Sequence, residues 1–389
     1  MAWSSFRRRL GRLFLFGVLV VALVVTLLVA QGWRAFGQSA TGARRTRMEH
    51  SKQWQRRAFE NPEPLFNDAL GMLTGSFHVS DDVNPKTPVP TVTLDPVALA
   101  TPPPTGLRVT WLGHSTTLIE IDGHRFMTDP IFSDRISPLS WVGPRRWYAP
   151  LIELEKLPTL DAVLISHDHY DHLDQPTIEA LNTKTQVRFI VPLGVGAHLE
   201  YWGVAPERII ELDWWEETKL GDLTVTCTPA RHASGRQVLD KDGTLWASYA
   251  FTGPKHRVWY SGDTGLFKAM KDIGQKLGPF DLTLIEVGQY HRSWPDWHIG
   301  PEQAVKANQW VNGRTLLPIH WALLGLAFHG WTEPIERASL EAKKLGVTLA
   351  LPKPGQSFEP DALPPFEPWW PTLPFETAEQ HPIVSTNVE

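Results

Sequence analysis

A single cysteine, Cys227, stands in 389 residues. That excludes an internal disulfide and any cysteine-built zinc site, and leaves metal chemistry to histidine and carboxylate. Basic blocks are scarce too: beyond the first dozen residues no basic run recurs, and the net charge is −5. Nucleic acid is therefore not an expected partner, because it selects a basic face. No internal repeat of high identity is visible, although strands and helices follow a similar order in the two halves. Long apolar runs are also missing, with one exception near the N-terminus.

That exception is Leu13 to Ala30, eighteen residues without a charge, preceded by Arg7, Arg8, Arg9 and Arg12. As a helix it would be about 27 Å long, close to the ~30 Å of a hydrocarbon core. Its length and its Leu28 favour an uncleaved anchor over a cleaved signal peptide. The leading arginines place the N-terminus in the cytoplasm and the rest on the exported, periplasmic side of a bacterial inner membrane. Arg34, Arg44, Arg45 and Arg47 weaken that asymmetry and keep a cytosolic domain open.

The chain then divides by composition. Residues 1–12 are the basic end, 13–30 the anchor, and 31–106 an extended arm whose Pro85, Pro88, Pro90, Pro96 and Pro102 to Pro104 forbid long helices. Residues 107–356 form the organised domain, and 357–389 read as a Pro-rich surface tail. Strands are expected at 108–113, 116–121, 125–128, 162–165, 187–191, 209–212, 223–228, 245–252, 257–260, 282–287 and 315–319. Asp122-Gly123 is a hairpin signal, and Asp129-Pro130 is expected to end the first sheet. Helices are expected from 176 to 181, 195 to 202, 301 to 311 and 333 to 345. Of the eighteen tryptophans, Trp33, Trp54, Trp141, Trp147, Trp369 and Trp370 are expected outside the core, where such residues suit a membrane-facing or ligand-facing surface or serve packing alone.

The chemistry concentrates in Ser166-His167-Asp168-His169-Tyr170-Asp171-His172-Leu173-Asp174, directly after the apolar run Ala162 to Ile165. Side chains at i and i+2 of an extended segment leave on one side, so His167 and His169 can share one ion. A turn after Tyr170 would bring Asp171 and His172 to a second. Other strands also end in a potential ligand: Thr228 before His232, Tyr260 before Asp263, Ile319 before His320. Strand ends of one sheet edge can converge on a rigid site. The expected sets are His167, His169 and His232 for one ion, and Asp171, His172 and His320 for the other. Asp263 lies between them, because a carboxylate can bridge. Read one at a time, His232 and His320 suit structural histidines as well, and Asp263 a turn. His114 fits an outer-sphere partner or a structural strand end. Asp174 fits a helix N-cap or the orienter of a ligand histidine. His298 fits a surface position near a helix start or a contact to substrate.

These motifs, with Trp111 to Thr116, Thr128 to Ser133, Gly143 to Arg146, Gly262 to Gly265, Gly278 to Asp281 and Ile319 to Trp321, resemble the metallo-β-lactamase superfamily. Within it they are similar to the branch of N-acylphosphatidylethanolamine-hydrolysing phospholipases D, over roughly residues 50 to 350. The resemblance implies a four-layered αββα sandwich, two zinc ions, and phosphodiester hydrolysis yielding phosphatidic acid and N-acylethanolamine. It matches Tyr170 and His298 to lipid-contacting positions. Two zinc ions would lower the pKa of a bridging water towards ~7 for in-line attack on phosphorus, with Asp171, Asp263 and His298 as the catalytic group. The anchor would make the membrane a partner, and an oligomer is compatible. Hydrolysis of lactones or amides, and a non-catalytic role in the envelope, are the competing readings.

Overall fold

Two seven-stranded sheets account for the body of the chain in the computed structural model, which describes residues 2–237, 239–365 and 367–388. The first has the order β16-β3-β4-β5-β6-β7-β8, with β3 at Leu107–Gly113, β4 at Thr116–Ile121, β5 at His124–Thr128, β6 at Ala162–Leu164, β7 at Arg188–Pro192, β8 at Ile209–Leu212 and β16 at Ser357–Phe358. The second runs β15-β14-β13-β12-β11-β10-β9, with β9 at Glu217–Leu220, β10 at Leu223–Thr228, β11 at Ser248–Thr252, β12 at Arg257–Tyr260, β13 at Phe280–Glu286, β14 at Gly313–Ile319 and β15 at Thr348–Leu349. Each sheet has three antiparallel pairings at one end and three parallel ones at the other. A small hairpin, β1 and β2 (Trp54–Gln55 and Ala58–Phe59), lies in the arm before them.

Period-two alternation builds the layers. Val109, Trp111, Ile119 and Ile121 point to the apolar core shared with Val225, Tyr249, Phe251 and Val258 of the second sheet. Leu118, Met127, Val163 and Ile165 point the other way and meet Ile178 and Leu181 of the helix Gln175–Lys184. On the far side the helices Pro301–Trp310 and Glu333–Leu345 cover the second sheet. This is the expected αββα sandwich. Asp122 and Gly123 both have positive φ, which is what a tight two-residue hairpin needs.

Several local expectations change. The first sheet does not end at Asp129: β5 pairs in parallel with β6, across a crossover that local pattern does not reveal. The strand expected from Leu245 begins at Ser248, because Leu245 and Ala247 donate their N–H groups to Leu193 and Ser166 of the first sheet's loops. β9 is a charged edge strand with no apolar alternation to announce it. The expected tail is not a surface feature. Ser357 and Phe358 pair with Thr110 and Val109. Trp369 and Trp370 are buried, Trp369 stacking on Trp321 at 5.3 Å. A Pro-rich segment reads as exposed by composition, but two adjacent tryptophans bury more apolar surface than its prolines forbid.

The N-terminal helix spans Ala2–Gly32, and its Gly11–Gly32 part is unburied, long and apolar enough to cross a membrane. Its one polar side chain between Leu13 and Ala30, Thr26, bonds its hydroxyl to the carbonyl of Ala22 at 2.8 Å. The arm that follows forms short helices at Gly42–Glu49, Ala69–Gly75 and Pro96–Ala100. It runs past the ligand loops: Asn61 exchanges two hydrogen bonds with the backbone of His232, and Phe66 N–H donates to Asp296 at 2.8 Å.

Candidate metal centre

Five strands deliver side chains to one edge of the sandwich. The loop after β6 carries His167 to His172, and a turn in which His172 and Leu173 both donate to the His169 carbonyl reverses it. His232 follows β10, Asp263 follows β12, and His320 follows β14. His114 sits in the β3–β4 turn, beside an irregularity in the pairing. Its N–H donates to the Trp321 carbonyl at 3.0 Å, and His320 N–H donates to the His114 carbonyl at 2.9 Å. That reciprocal pair ties the edges of the two sheets together. His114, Asp129, His320 and Ala322 all have positive φ, so backbone strain of about 1 kcal/mol or more per residue gathers here.

The first set closes tightly. His167 Nε2 lies 2.9 Å from His169 Nδ1, and His232 Nε2 lies 3.3 Å from the same nitrogen. Two nitrogens on a tetrahedral zinc at ~2.0–2.1 Å are separated by about 3.3 Å, so this spacing fits. The outer nitrogens are occupied: His167 Nδ1 meets Ser166 Oγ at 2.9 Å, and His232 Nδ1 meets the Trp297 carbonyl at 2.8 Å. This points the Nε2 lone pairs inward. The second set is Asp171, His172 and His320, with His114 beside it. Asp171 Oδ2 lies 2.9 Å from His114 Nε2 and 3.4 Å from His172 Nε2. Asp263 reaches both sets. Its Oδ2 is 3.0 Å from His172 Nε2, and 3.9 and 3.8 Å from His167 Nε2 and His232 Nε2. Its Oδ1 is 3.1 Å from His320 Nδ1.

The charges suit cation binding with one exception: burial opposes a charge on His172, but Asp263, Asp171 and Asp129 outweigh it and raise this imidazole well above the usual histidine range, a charge that a bound cation would replace. Burial, reinforced by neighbouring imidazoles, holds His167, His232 and His320 neutral to well below the usual histidine range. Burial opposes ionisation of Asp171, but His172 and His114 outweigh it and hold the carboxyl well below its ordinary value. Burial pushes Asp263 up to about 7, and Glu286 adds to the rise. His114 Nδ1, His172 Nε2, Asp263 Oδ1 and His320 Nε2 are buried without a hydrogen-bond partner. These four atoms belong to residues of the clustered ligand groups, and each would cost about 1–3 kcal/mol if left unsatisfied. A divalent cation satisfies them, so the residues present fit the metal.

Two expected roles move, and His298 stays at the site. Asp174 does not orient a ligand histidine; it stands at the expected N-cap position of the helix Gln175–Lys184, and its carboxylate takes N–H groups from Phe132 and Ser133 and the hydroxyl of Ser133, anchoring the loop after β5. Tyr170 commits its hydroxyl to the Arg236 carbonyl at 2.8 Å, so that hydroxyl is not turned to a phosphoryl group. His298 does enter the site: it stacks on His320 with ring centres 5.2 Å apart, and its Nδ1 lies 3.8 Å from Asp263.

Two residues escaped the sequence reading. Glu286, fully buried at the end of β13, accepts from Thr264 N–H and from His298 Nδ1 at 2.8 Å. Its signal in the sequence is a lone charge inside the apolar run from Leu282 to Val287. Asp129 accepts from Ser166 N–H at 2.7 Å, from His172 Nδ1 at 2.6 Å and from the Tyr260 hydroxyl. It was visible only as part of the Thr128-Asp129-Pro130 motif. The Asp129–His172 pair sets the tautomer of a ligand, an arrangement whose loss costs 10–100-fold in metal affinity. Asp129→Asn is expected to weaken metal binding by about that factor, read by competition with a coloured chelator. Unchanged affinity would remove Asp129 from the support of the site.

The fold and this ligand set define a metal-dependent hydrolase, and the chain belongs to the β-lactamase superfamily: the family model described as "Beta-lactamase superfamily domain" matches residues 124–321. It is 51% identical over 267 residues to the uncharacterized protein Rv0906 of Mycobacterium tuberculosis, covering 68% of this chain and 72% of that one. It is 39% identical over 227 residues to N-acyl-phosphatidylethanolamine-hydrolyzing phospholipase D 1 of Caenorhabditis elegans, covering 56% and 64%. Among solved structures, an isothiocyanate hydrolase from Delia radicum gut bacteria superposes with a TM-score of 0.51 at 17% identity, over 65% of this chain and 98% of that one, a likeness of fold.

Proposed function

We propose that this chain is a membrane-anchored dinuclear zinc phosphodiesterase. Its substrate in this reading is a phospholipid of the N-acylphosphatidylethanolamine type, cleaved to phosphatidic acid and an N-acylethanolamine. The observation that carries the reading is Asp263, whose Oδ2 lies 3.0 Å from His172 of one set and 3.9 and 3.8 Å from His167 and His232 of the other, while its Oδ1 lies 3.1 Å from His320. The C. elegans relative, named for this hydrolysis, supports the substrate class. When bound, two cations would supply a water of lowered pKa and would neutralise charge on phosphoryl oxygens. His167, His169 and His232 would hold one, Asp171, His172 and His320 the other, and Asp263 both. His298, fixed through Nδ1 by Glu286, presents its Nε2 edge and can hydrogen-bond the phosphoryl oxygen or the leaving group. The helix Ala2–Gly32 keeps the site beside lipid.

The test uses the full chain, zinc-loaded, in phosphatidylcholine nanodiscs containing N-acylphosphatidylethanolamine. Release of N-acylethanolamine, absent in Asp263→Asn, is the expected result. No release with metal bound, or faster turnover of a lactone than of any phosphodiester, would overturn the lipid reading.

A further inference from the structure

Asp168 stands between the ligand histidines His167 and His169 and is buried. Its carboxylate takes the Gly235 N–H at 2.7 Å and the Thr244 hydroxyl at 2.8 Å, with His198 Nε2 at 3.3 Å. Its backbone carbonyl takes Arg236 Nη1 at 2.6 Å, and the same nitrogen donates to the Leu173 carbonyl at 2.8 Å. One guanidinium nitrogen therefore staples both ends of the segment that bears His169, Asp171 and His172. Arg236 is buried as well, its guanidinium 4.1 Å from the centre of the Tyr170 ring and 5.1 Å from that of Trp202.

The far sides of His198 and Arg236 hold a different part of the chain. Arg236 Nε donates to the Ala35 carbonyl at 2.8 Å. The N–H of Gln38 meets His198 Nδ1 at 3.0 Å. A backbone N–H can only donate, so Nδ1 accepts, and the ring proton sits on Nε2, the nitrogen turned to Asp168. Trp202 stacks on His198 with ring centres 5.9 Å apart and donates its Nε1 to the Arg34 carbonyl at 2.7 Å. Residues 34–38 lead away from the helix Ala2–Gly32, and they lie in no helix or strand that would pair their backbone groups. Gly37 has φ +71°, and a Cβ there would overlap His198 Nδ1, so glycine permits both the turn and the close approach. A single layer of side chains thus joins the exit of the membrane-type helix to the ligand loop.

We propose that residues 34–38 are a positioning element of the metal centre: seated on His198 and Arg236, they fix Asp168 and Leu173, and with them the ligands in between. His198 and Arg236 are positioning residues in this arrangement, since neither is a ligand. The role rests on residues 167–172 holding metal, whatever substrate that metal serves. Helix exit and ligand loop then move as one unit, and unseating the exit loosens the grip on the cation.

Cobalt(II) is the probe, loaded into the stripped full chain in phosphatidylcholine nanodiscs. Its visible absorption reads ligand geometry, and competition with a chelator reads affinity. Gly37→Ala is expected to shift the cobalt spectrum and to weaken cobalt binding about tenfold, the lower end of what losing a ligand's outer partner costs. His198→Leu is expected to do the same. Because both act through one contact, the double variant is expected to lose no more than the larger single loss. Arg44→Met is the control. Arg44 ties the arm to Glu200 and Glu211 and does not touch Asp168, so its loss is expected to lower Tm while spectrum and affinity stay as in wild type. An unaltered cobalt site in Gly37→Ala, additive losses in the double variant, or an equal shift in Arg44→Met would overturn the positioning role. Gly37→Ala decides alone if His198→Leu does not fold. A wild-type chain that binds no cobalt would instead remove the metal centre itself, and the role with it.

Discussion

Asp263→Asn is expected to lower kcat/KM for the phosphodiester by about a thousandfold or more, the size of loss seen when a charge-stabilising group is removed at a reacting centre. The change keeps the shape and removes one anionic oxygen. That oxygen has no substitute. Oδ2 is the atom 3.0 Å from His172 and under 4 Å from both His167 and His232, while Oδ1 faces His320. An amide can present one oxygen to one cation, so one of the two sets loses its carboxylate. Metal content measured alongside activity is expected to fall as well. Full activity at full metal content in this variant would take Asp263 out of the site.

Stripping the metal is expected to have the second-largest effect, on stability. A ligand present at a thousandfold over its Kd stabilises the native state by about 4 kcal/mol, and chelation removes that amount for each such site. The geometry explains the sensitivity. Without cations, His172 Nε2, His320 Nε2 and Asp263 Oδ1 remain buried and unpartnered. Burial pushes the Asp263 and Glu286 carboxyls upward, so the stripped site must shed charge by taking up protons. Differential scanning calorimetry with and without chelator reads the loss, and restored metal should reverse it. A thermal midpoint that ignores complete removal of metal would contradict the site as described. Cys227 cannot confuse this test, since it is buried in the core between the sheets.

The ligand set was legible because each member follows an apolar run, and a polar residue at the end of a buried strand has little reason to be there except to meet a partner. The same reasoning should have caught Glu286. The apolar run resumes at Val287, however, so this charge reads as an interruption rather than an end. Asp129 was hidden differently. Its partners Ser166, His172 and Tyr260 come from three other segments, and only the parallel pairing of β5 with β6 brings Asp129 beside Ser166. Non-local pairings of this kind leave no local period. The tail misled for a related reason: prolines describe the backbone path, while burial of Trp369 and Trp370 depends on a surface formed by Trp111 and Trp321 from two different sheets. The backbone of His232, finally, is gripped by Asn61 from the arm, a contact 171 residues apart in sequence.

The central claim is that hydrolysis here needs two cations held by one shared carboxylate. The most direct measurement is a zinc titration of the stripped full chain, following bound metal by mass spectrometry and N-acylphosphatidylethanolamine cleavage in the same samples. The account predicts two ions bound per chain, with cleavage rising as the second set fills. Full cleavage at one ion per chain or fewer, or two ions bound with no cleavage of any phosphodiester, would contradict it.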